Sequence, residues 1–384
     1  MAMFKPNTEQ AVVADFETVG DLKAGLDAKA KFEHVDLYHR DGSVLLGDVE
    51  QRLAGLAGVS PENILSYNSG MSAVTDAIDV ALHVAGSDEV TLACSAESYT
   101  QTKRYIENFI RGKRANVVYF DSGNANEVKR ILQERKPDVF VAETVANYTG
   151  IPVLDVENLI DANRDAEGDT TIVLDHTLPL STGYPLGEHL TEEDKIIVVE
   201  SGTKSYTFNK ALLGVAYTKD LQLVDWLRRY RRTRGTLPGP EHLESIENLL
   251  PLDREAFDKR NRSLFKNTGE IAVRLSGLKP EGARFCINHP GIPNHDNHQL
   301  YKEQYPDGGS PVLYIESGKI NQYEIAELLW ANPEVRKQAK LGQSFGFDHT
   351  RIVADENIAA VRIAGGSETD AVAFAEACAE ALFG

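Results

Sequence analysis

Two apolar, β-branched runs of this chain end in residues able to do chemistry: TIVLD finishes on Asp175, and KIIVVE leads into Ser201-Gly202-Thr203-Lys204. A lysine at a strand's end can form an imine with an aldehyde, while flanking Ser201 and Thr203 hydroxyls bind a phosphate. A carboxylate on another strand, such as Asp175, can pair with a protonated ring nitrogen. Pyridoxal phosphate is the cofactor that asks for all three at once. In Ser69-Gly70-Met71, a strand-like run gives way to a helix. Free N–H groups at a helix start favour an anion, and glycine lets the backbone approach it closely.

Each segment also has an ordinary structural reading. Most lysines are solvated, strand-end aspartates cap turns, and Ser69 could be a plain N-cap. SGTKS lacks the glycine before its lysine and the upstream glycine of a nucleotide P-loop, and no G-x-G-x-x-G fingerprint marks a dinucleotide site.

The elements that must position these residues alternate along the chain. EVTLAC (89–94), VVYF (117–120), DVFVAE (138–143), TIVLD (171–175), KIIVVE (195–200) and GVAYT (214–218) read as strands. Helix-like stretches such as VTDAIDVALHVAG, NEVKRILQERK and VENLIDANRD lie between them. That alternation predicts an α/β fold with a mostly parallel sheet covered on both faces, whose ligands gather at the carboxyl ends of the strands. We divide the chain into an arm (1–45), a large domain (46–240) and a smaller α+β C-terminal domain (241–384).

With 384 residues and a formal charge of -18, the chain is long enough for two or three domains and repels nucleic acid and anionic lipid. The basic run Arg228 to Arg234 continues a helix with an apolar face, so it reads as a solvated or subunit-facing surface. No apolar run approaches the ~18 residues of a membrane span, and the opening MAMFKPNTEQ lacks a secretory pattern. A cytoplasmic protein without membrane or nucleic-acid partners is expected. Cys94, Cys286 and Cys378 are far apart and read as buried thiols.

Taken in order from about residue 38, the motifs resemble the Cys/Met-metabolism group of fold-type-I pyridoxal-phosphate enzymes, which includes cystathionine γ-synthase, cystathionine γ-lyase and methionine γ-lyase. YHRDGSVLLGDVEQRLAGL resembles the group's Y-x-R-x-x-N-P-T segment, SGMSAV its S-G-M-A-A, and SYTQTKRY its Y-G-G-T-Y-R. ETVANYTG is similar to E-T-P-S-N-P-T, VLDHT to V-D-N-T, SGTKSY to S-A-T-K-Y, HPGIPNHDNHQL to Y-P-G-L-P-S-H-P-Q-H-E-L, and VRIAGGSE to L-R-L-S-V-G-x-E. The resemblance implies a seven-stranded sheet flanked by helices, with Lys204 as imine-forming residue and base, and Asp175 as partner of the pyridinium. It implies that Tyr99 stacks on the ring and assists proton transfer, and that Ser69, Gly70, Met71, Ser201 and Thr203 hold the phosphate. Asn147 would lie near the ring hydroxyl or substrate carboxylate, and Arg362 would clamp that carboxylate. Tyr38 and Arg40 would reach a neighbouring subunit's site, as expected of a homotetramer built from dimers. His289, His295 and His298 match a loop of the group, a structural turn in preference to a metal site.

The chain departs from the group mainly on the substrate side. G-G-H-S-D after the lysine is replaced by Thr207-Phe208-Asn209-Lys210-Ala211, and S-L-G-G-V-E-S-L becomes KLGQSFGF, which puts Lys340 where a serine beside the substrate is usual. The implied activity is γ-elimination on a γ-substituted L-amino acid, with an unusual leaving group such as a halide one way to account for these changes. γ-Replacement and β-elimination are the alternatives within the class, and a cofactor-binding protein without catalysis is the alternative outside it.

Overall fold

The structure, a computed structural model, describes residues 42–86, 89–166 and 170–384. Tyr38, Arg40 and nearly all of the expected arm lie outside the described residues. Helices of ten or more residues are numbered α1 (Val44–Ala57), α2 (Gly70–Ala85), α3 (Val156–Asp165), α4 (Leu221–Arg234), α5 (Pro240–Leu249), α6 (Arg254–Leu278), α7 (Gln322–Ala331) and α8 (Ala371–Phe383).

Seven strands form the large sheet: β1 (Ile64–Tyr67), β2 (Thr91–Ser95), β3 (Asn116–Phe120), β4 (Val139–Glu143), β5 (Thr171–Asp175), β6 (Ile196–Glu200) and β7 (Gly214–Tyr217). Their order is β1-β7-β6-β5-β4-β2-β3, and only β7 runs against its neighbours. All six predicted strands are present in this mostly parallel sheet, as the near-continuous apolar runs require when both faces are covered. Side chains of one strand alternate between two cores. Ile172, Leu174, Ile196 and Val198 pack on the α1 side, while Val173, Ile197 and Val199 pack on the α2 side.

A second sheet, ordered β10-β11-β12-β9-β8, is built from β8 (Phe285–Asn288), β9 (Val312–Ser317), β10 (Ala339–Leu341), β11 (Thr350–Asp355) and β12 (Ala360–Ala364). Its core lies against α6, α7 and α8. Helix α5 turns Leu243 and Ile246 into the same apolar cluster as Val49 and Leu53 of α1. Among the described residues, no helix is long and apolar enough to cross a membrane.

Two expectations need correction. The basic stretch of α4 is not a solvated face throughout: Arg231 is buried and paired with Glu50, while Arg234 holds the buried carboxylates of Asp76 and Asp79. A chain this acidic uses its cations inward, because a buried carboxylate without a partner is costly. Cys286 is exposed, whereas Cys94 and Cys378 are buried. Cys286 lies on edge strand β8 between inward-facing Phe285 and Ile287, so the pleat turns it out.

The start of β7 packs tightly against the turn into α2. A Cβ built on Gly214 would stand 2.0 Å from the carbonyl oxygen of Ser69 and 3.0 Å from the nitrogen of Gly70. Any side chain there must push the start of α2 away. Gly214→Ala should therefore cost about 1–3 kcal/mol of stability, the usual penalty of overpacking. A denaturant midpoint equal to that of the parent chain would show that the two segments are not in contact.

Candidate active site

The carboxyl ends of β5 and β6 lie side by side because the two strands pair in parallel, with Asp175 opposite Val199. Beyond Asp175 the chain turns so that Thr177 donates to its carboxylate twice, from the backbone at 3.0 Å and from the hydroxyl at 2.5 Å. Both bonds fall on Oδ1, which leaves Oδ2 for a cationic ring nitrogen. The Thr177 oxygen also accepts the backbone N–H of Ser201 at 2.8 Å and so ties the end of β5 to the lysine turn. His176 is buried and pushed down to about 4 by that burial. Its Nε2 faces the carbonyl of Tyr184 at 2.9 Å, an acceptor only, so the neutral ring carries its proton there and accepts from Thr144 at Nδ1, 2.8 Å away.

Lys204 sits in the short helix Gly202–Ser205 that follows β6. Its Nζ donates to Ser344 Oγ at 2.8 Å and lies 5.7 Å from the centre of the Phe345 ring. Burial first, and the Arg362 guanidinium second, push the amine down to about 8. Ser344 in turn lies 2.6 Å from Asn209 Oδ1.

Glu143, Tyr99, Asn147, Tyr314 and Arg362 form the facing wall. Glu143 ends β4 directly opposite Asp175 and accepts the backbone N–H groups of Tyr99 and, at 3.0 Å, Asn147. Burial, and then the neighbouring Asp175, raise this carboxyl above the usual range. The Tyr314 hydroxyl donates to Asn147 Oδ1 at 2.8 Å, and Tyr314 stands opposite Arg362 across β9 and β12. Arg362 is buried, yet its Nε has no hydrogen-bond partner among the described residues. A guanidinium held this way is suited to a carboxylate. The Tyr99 phenol is raised by burial, and the Arg362 charge opposes that rise.

The third wall is the start of α2. Ser69 is the N-cap, its hydroxyl accepting from Ser72 N at 3.2 Å, so the capping reading holds. Capping leaves the N–H groups of Gly70 and Met71 without an acceptor inside the helix. Gly70 faces Ser201 so closely that a Cβ would stand 2.8 Å from the Ser201 Cβ, which makes a cradle fit for an anion. Thr203 is engaged by the Leu213 backbone. Its hydroxyl accepts from Leu213 N at 2.9 Å and lies 3.3 Å from Leu213 O.

Lys204, Asp175, Tyr99, Asn147, Ser69, Gly70, Ser201 and Arg362, with Met71 next in the chain to Gly70, thus gather around the carboxyl ends of β4, β5 and β6. Lys340 does not join them, being exposed on β10. Ser344, four residues later, takes the place by the lysine. Sequence reading also missed Asn209, Glu143, Thr177 and Tyr314 as parts of the site. Glu143 and Thr177 lay inside quoted motifs, whereas no local pattern marks Asn209 or Tyr314. The histidines serve backbone groups: His289 Nδ1 accepts from Gly291 N at 2.9 Å, His295 Nε2 faces Gly150 O at 2.6 Å and His298 Nδ1 faces Pro290 O at 2.9 Å.

These residues fit pyridoxal phosphate: an amine with a lowered pKa, a part-buried carboxylate with an open oxygen, an anion cradle, and a guanidinium with an unused donor. A family profile described as Cys/Met metabolism PLP-dependent enzyme matches residues 16–333. The chain is 24% identical over 295 residues to cystathionine gamma-synthase 1, chloroplastic, of Arabidopsis thaliana, covering 77% of this chain and 49% of that protein. It is 22% identical over 326 residues to cystathionine gamma-lyase of Bos taurus, covering 83% of this chain and 73% of that protein. The chain spans about half the length of the first of these relatives. Among solved structures, cystathionine gamma synthase from Xanthomonas oryzae pv. oryzae, in complex with cystathionine, shares the fold, with a TM-score of 0.76 at 17% identity over 97% of this chain and 91% of that one. With the profile spanning most of its length and the lysine, carboxylate and anion cradle in one cleft, the chain belongs to the Cys/Met metabolism PLP-dependent enzymes.

Proposed function

We propose that the chain catalyses γ-elimination from a γ-substituted L-amino acid. The observation that carries this reading is Lys204, a part-buried amine pushed down to about 8 and flanked by Arg362. The cofactor, when bound, supplies the electron sink that makes the substrate's protons removable. Arg362 holds the α-carboxylate by a planar two-point contact, for which its Nε is unused. Asp175 holds a positive charge at the cofactor ring, and the carboxylate of Glu143 keeps Tyr99 and Asn147 in place. Lys204 takes the Cα proton, would hand it on to the bound cofactor, and as a neutral amine again takes the Cβ proton, one amine serving both transfers in turn. The γ substituent leaves with the electron pair of its bond to Cγ and picks up a proton. γ-Replacement shares both transfers and ends by adding a nucleophile, and the likeness to a synthase supports it as the second reading. The assembly we propose is a homo-oligomer in which Tyr38 and Arg40 serve a neighbouring subunit's site.

The test is to offer homocysteine-type, cysteine-type and γ-halogenated amino acids side by side in heavy water and to identify the oxo acids by mass. γ-Elimination yields 2-oxobutyrate or a relative, with deuterium at the former Cβ. Turnover of cysteine-type substrates alone, with pyruvate as sole acid, rules it out.

Arg362→Lys should raise KM about tenfold or more, because a lysine cannot reproduce the bidentate contact. The cofactor's absorption should not change. Unaltered kinetics would place the carboxylate site elsewhere.

The lowered pKa of Lys204 also has a consequence for the cofactor-free protein. Below about 8 the folded and unfolded chains both carry the charged amine, and the fold bears the cost of burying it. Between about 8 and 10.5 the folded chain has lost the proton that the unfolded chain keeps, so stability rises with pH. Lys204→Met should therefore melt above the parent protein at pH 7, and the gap should close by about pH 10. Parallel melting curves at both pH values would contradict the burial of this amine.

A further inference from the structure

Asn209 stands in the left-handed region at φ 59°, as do its neighbour Phe208 at 54° and the residue it meets, Ser344 at 76°. Non-glycine residues adopt this conformation at a cost, and here three of them converge at one contact. The contact joins the loop after the catalytic lysine to the loop that leads from β10 to β11. Arg260 of α6 braces it from outside, donating to Gly346 O at 2.9 Å and to Asp348 at 2.8 Å, with its guanidinium 4.4 Å from the Phe208 ring centre.

The hydrogen bonds within it have a single sense. Asn209 Nδ2 donates to the carbonyl of Phe345 at 2.8 Å, an oxygen that can only accept. That bond fixes the amide, so Oδ1 faces Ser344. Across 2.6 Å the Ser344 hydroxyl must then be the donor, and its lone pairs are left for Lys204 Nζ at 2.8 Å. We propose that Asn209 is a positioning residue for the reaction: by holding the Ser344 proton, it makes Ser344 a pure acceptor, so the Lys204 amine donates an N–H to it and keeps its lone pair for substrate and cofactor. A serine free to rotate could instead donate to that lone pair, tying up the base. The inference rests on Lys204 as the reacting amine.

The charged neighbour acting on the amine is Arg362 of β12, and the Phe345 ring lies beside it. Tyr99 and Asp175 line the same cleft, while Arg260 and Asp348 pair with each other on the outer side of the loop. Of these groups Phe345 is bonded to Asn209 through its carbonyl, and the Ser344→Ala background separates any movement of Phe345 from the effect of Ser344 on the amine's titration.

The experiment follows covalent capture of added pyridoxal 5'-phosphate by the full-length, cofactor-free protein as a function of pH, by absorbance. Borohydride reduction and peptide mapping of the parent protein come first. A label on another lysine overturns both the functional reading and this inference, whereas a label on Lys204 leaves the inference to be decided by the variants. Asn209→Gly keeps the backbone conformation without strain. It should lower the inflection by about half a pH unit, about threefold in the protonation equilibrium, and lower the plateau rate as well. Asn209→Asp keeps an acceptor and adds charge, so its inflection should rise while the plateau is retained. In a Ser344→Ala background, Asn209→Gly should change neither. An Asn209→Gly profile that matches the parent, or that shifts equally without Ser344, overturns the proposal. Should Asn209→Gly fail to fold, a lowered inflection in Asn209→Asp overturns it and a raised one supports it.

Discussion

Parallel pairing of β4, β5 and β6 is the constraint on which the site depends. Parallel strands put equivalent ends at one edge, and the register sets Glu143 beside Asp175 and Asp175 beside Val199, one residue short of the end of β6. What each strand carries just beyond its end therefore lands in the same place, although Glu143 and Lys204 lie far apart in the chain. The sheet can hold this alignment because both of its faces are sealed by apolar layers drawn from alternate residues of the same strands. A one-residue slip would exchange those layers and rotate every functional side chain out of the cleft.

Electrostatics at this edge follow from crowding buried acids. Glu143 and Asp175 both have raised pKa values, chiefly because burial disfavours their charge. A positive ring nitrogen held by Asp175 would offset the repulsion, as the charge of Lys103 already does in part at Glu143. Lys204 shows the opposite sign for the same reason, since burial and Arg362 both favour its neutral form. One environment thus keeps a carboxylate waiting for a cation and an amine ready to take a proton. Further away, the same acidic chain spends Arg231 and Arg234 on buried carboxylates, which firms the join between α4, α1 and α2.

The smaller sheet contributes the rest of the cleft. Arg362 and Tyr314 face each other across β12 and β9, and the loop leaving β10 carries Ser344 to the lysine. The surroundings of the lysine, and the guanidinium proposed to hold the substrate, therefore depend on how the second sheet is docked. The residues that dock it, Asn209, Arg260 and Phe345, are among those in which the chain departs from its relatives' motifs or that no motif includes.

Strands were legible because fully buried β-branched runs leave a pattern in the order of residues, and the lysine, its aspartate and the glycine at the start of α2 were legible because each stands at the end of such a run. The identity of the cofactor followed from those residue types, and the ordered motifs supplied the family. The amino-acid order could not locate Ser344, since the quoted motif aligned Lys340 with the expected serine and only the path of the loop from β10 shows which residue arrives. It grouped the Thr203 hydroxyl with the phosphate, and only the fold shows that this hydroxyl also accepts from the Leu213 backbone. Sequence alone determined which elements form and which chemistry they carry, because periodicity and residue type are local properties. Tertiary structure decided which side chains meet, which hydroxyl accepts and which amine loses its proton, because those depend on distance and burial between segments far apart in the chain.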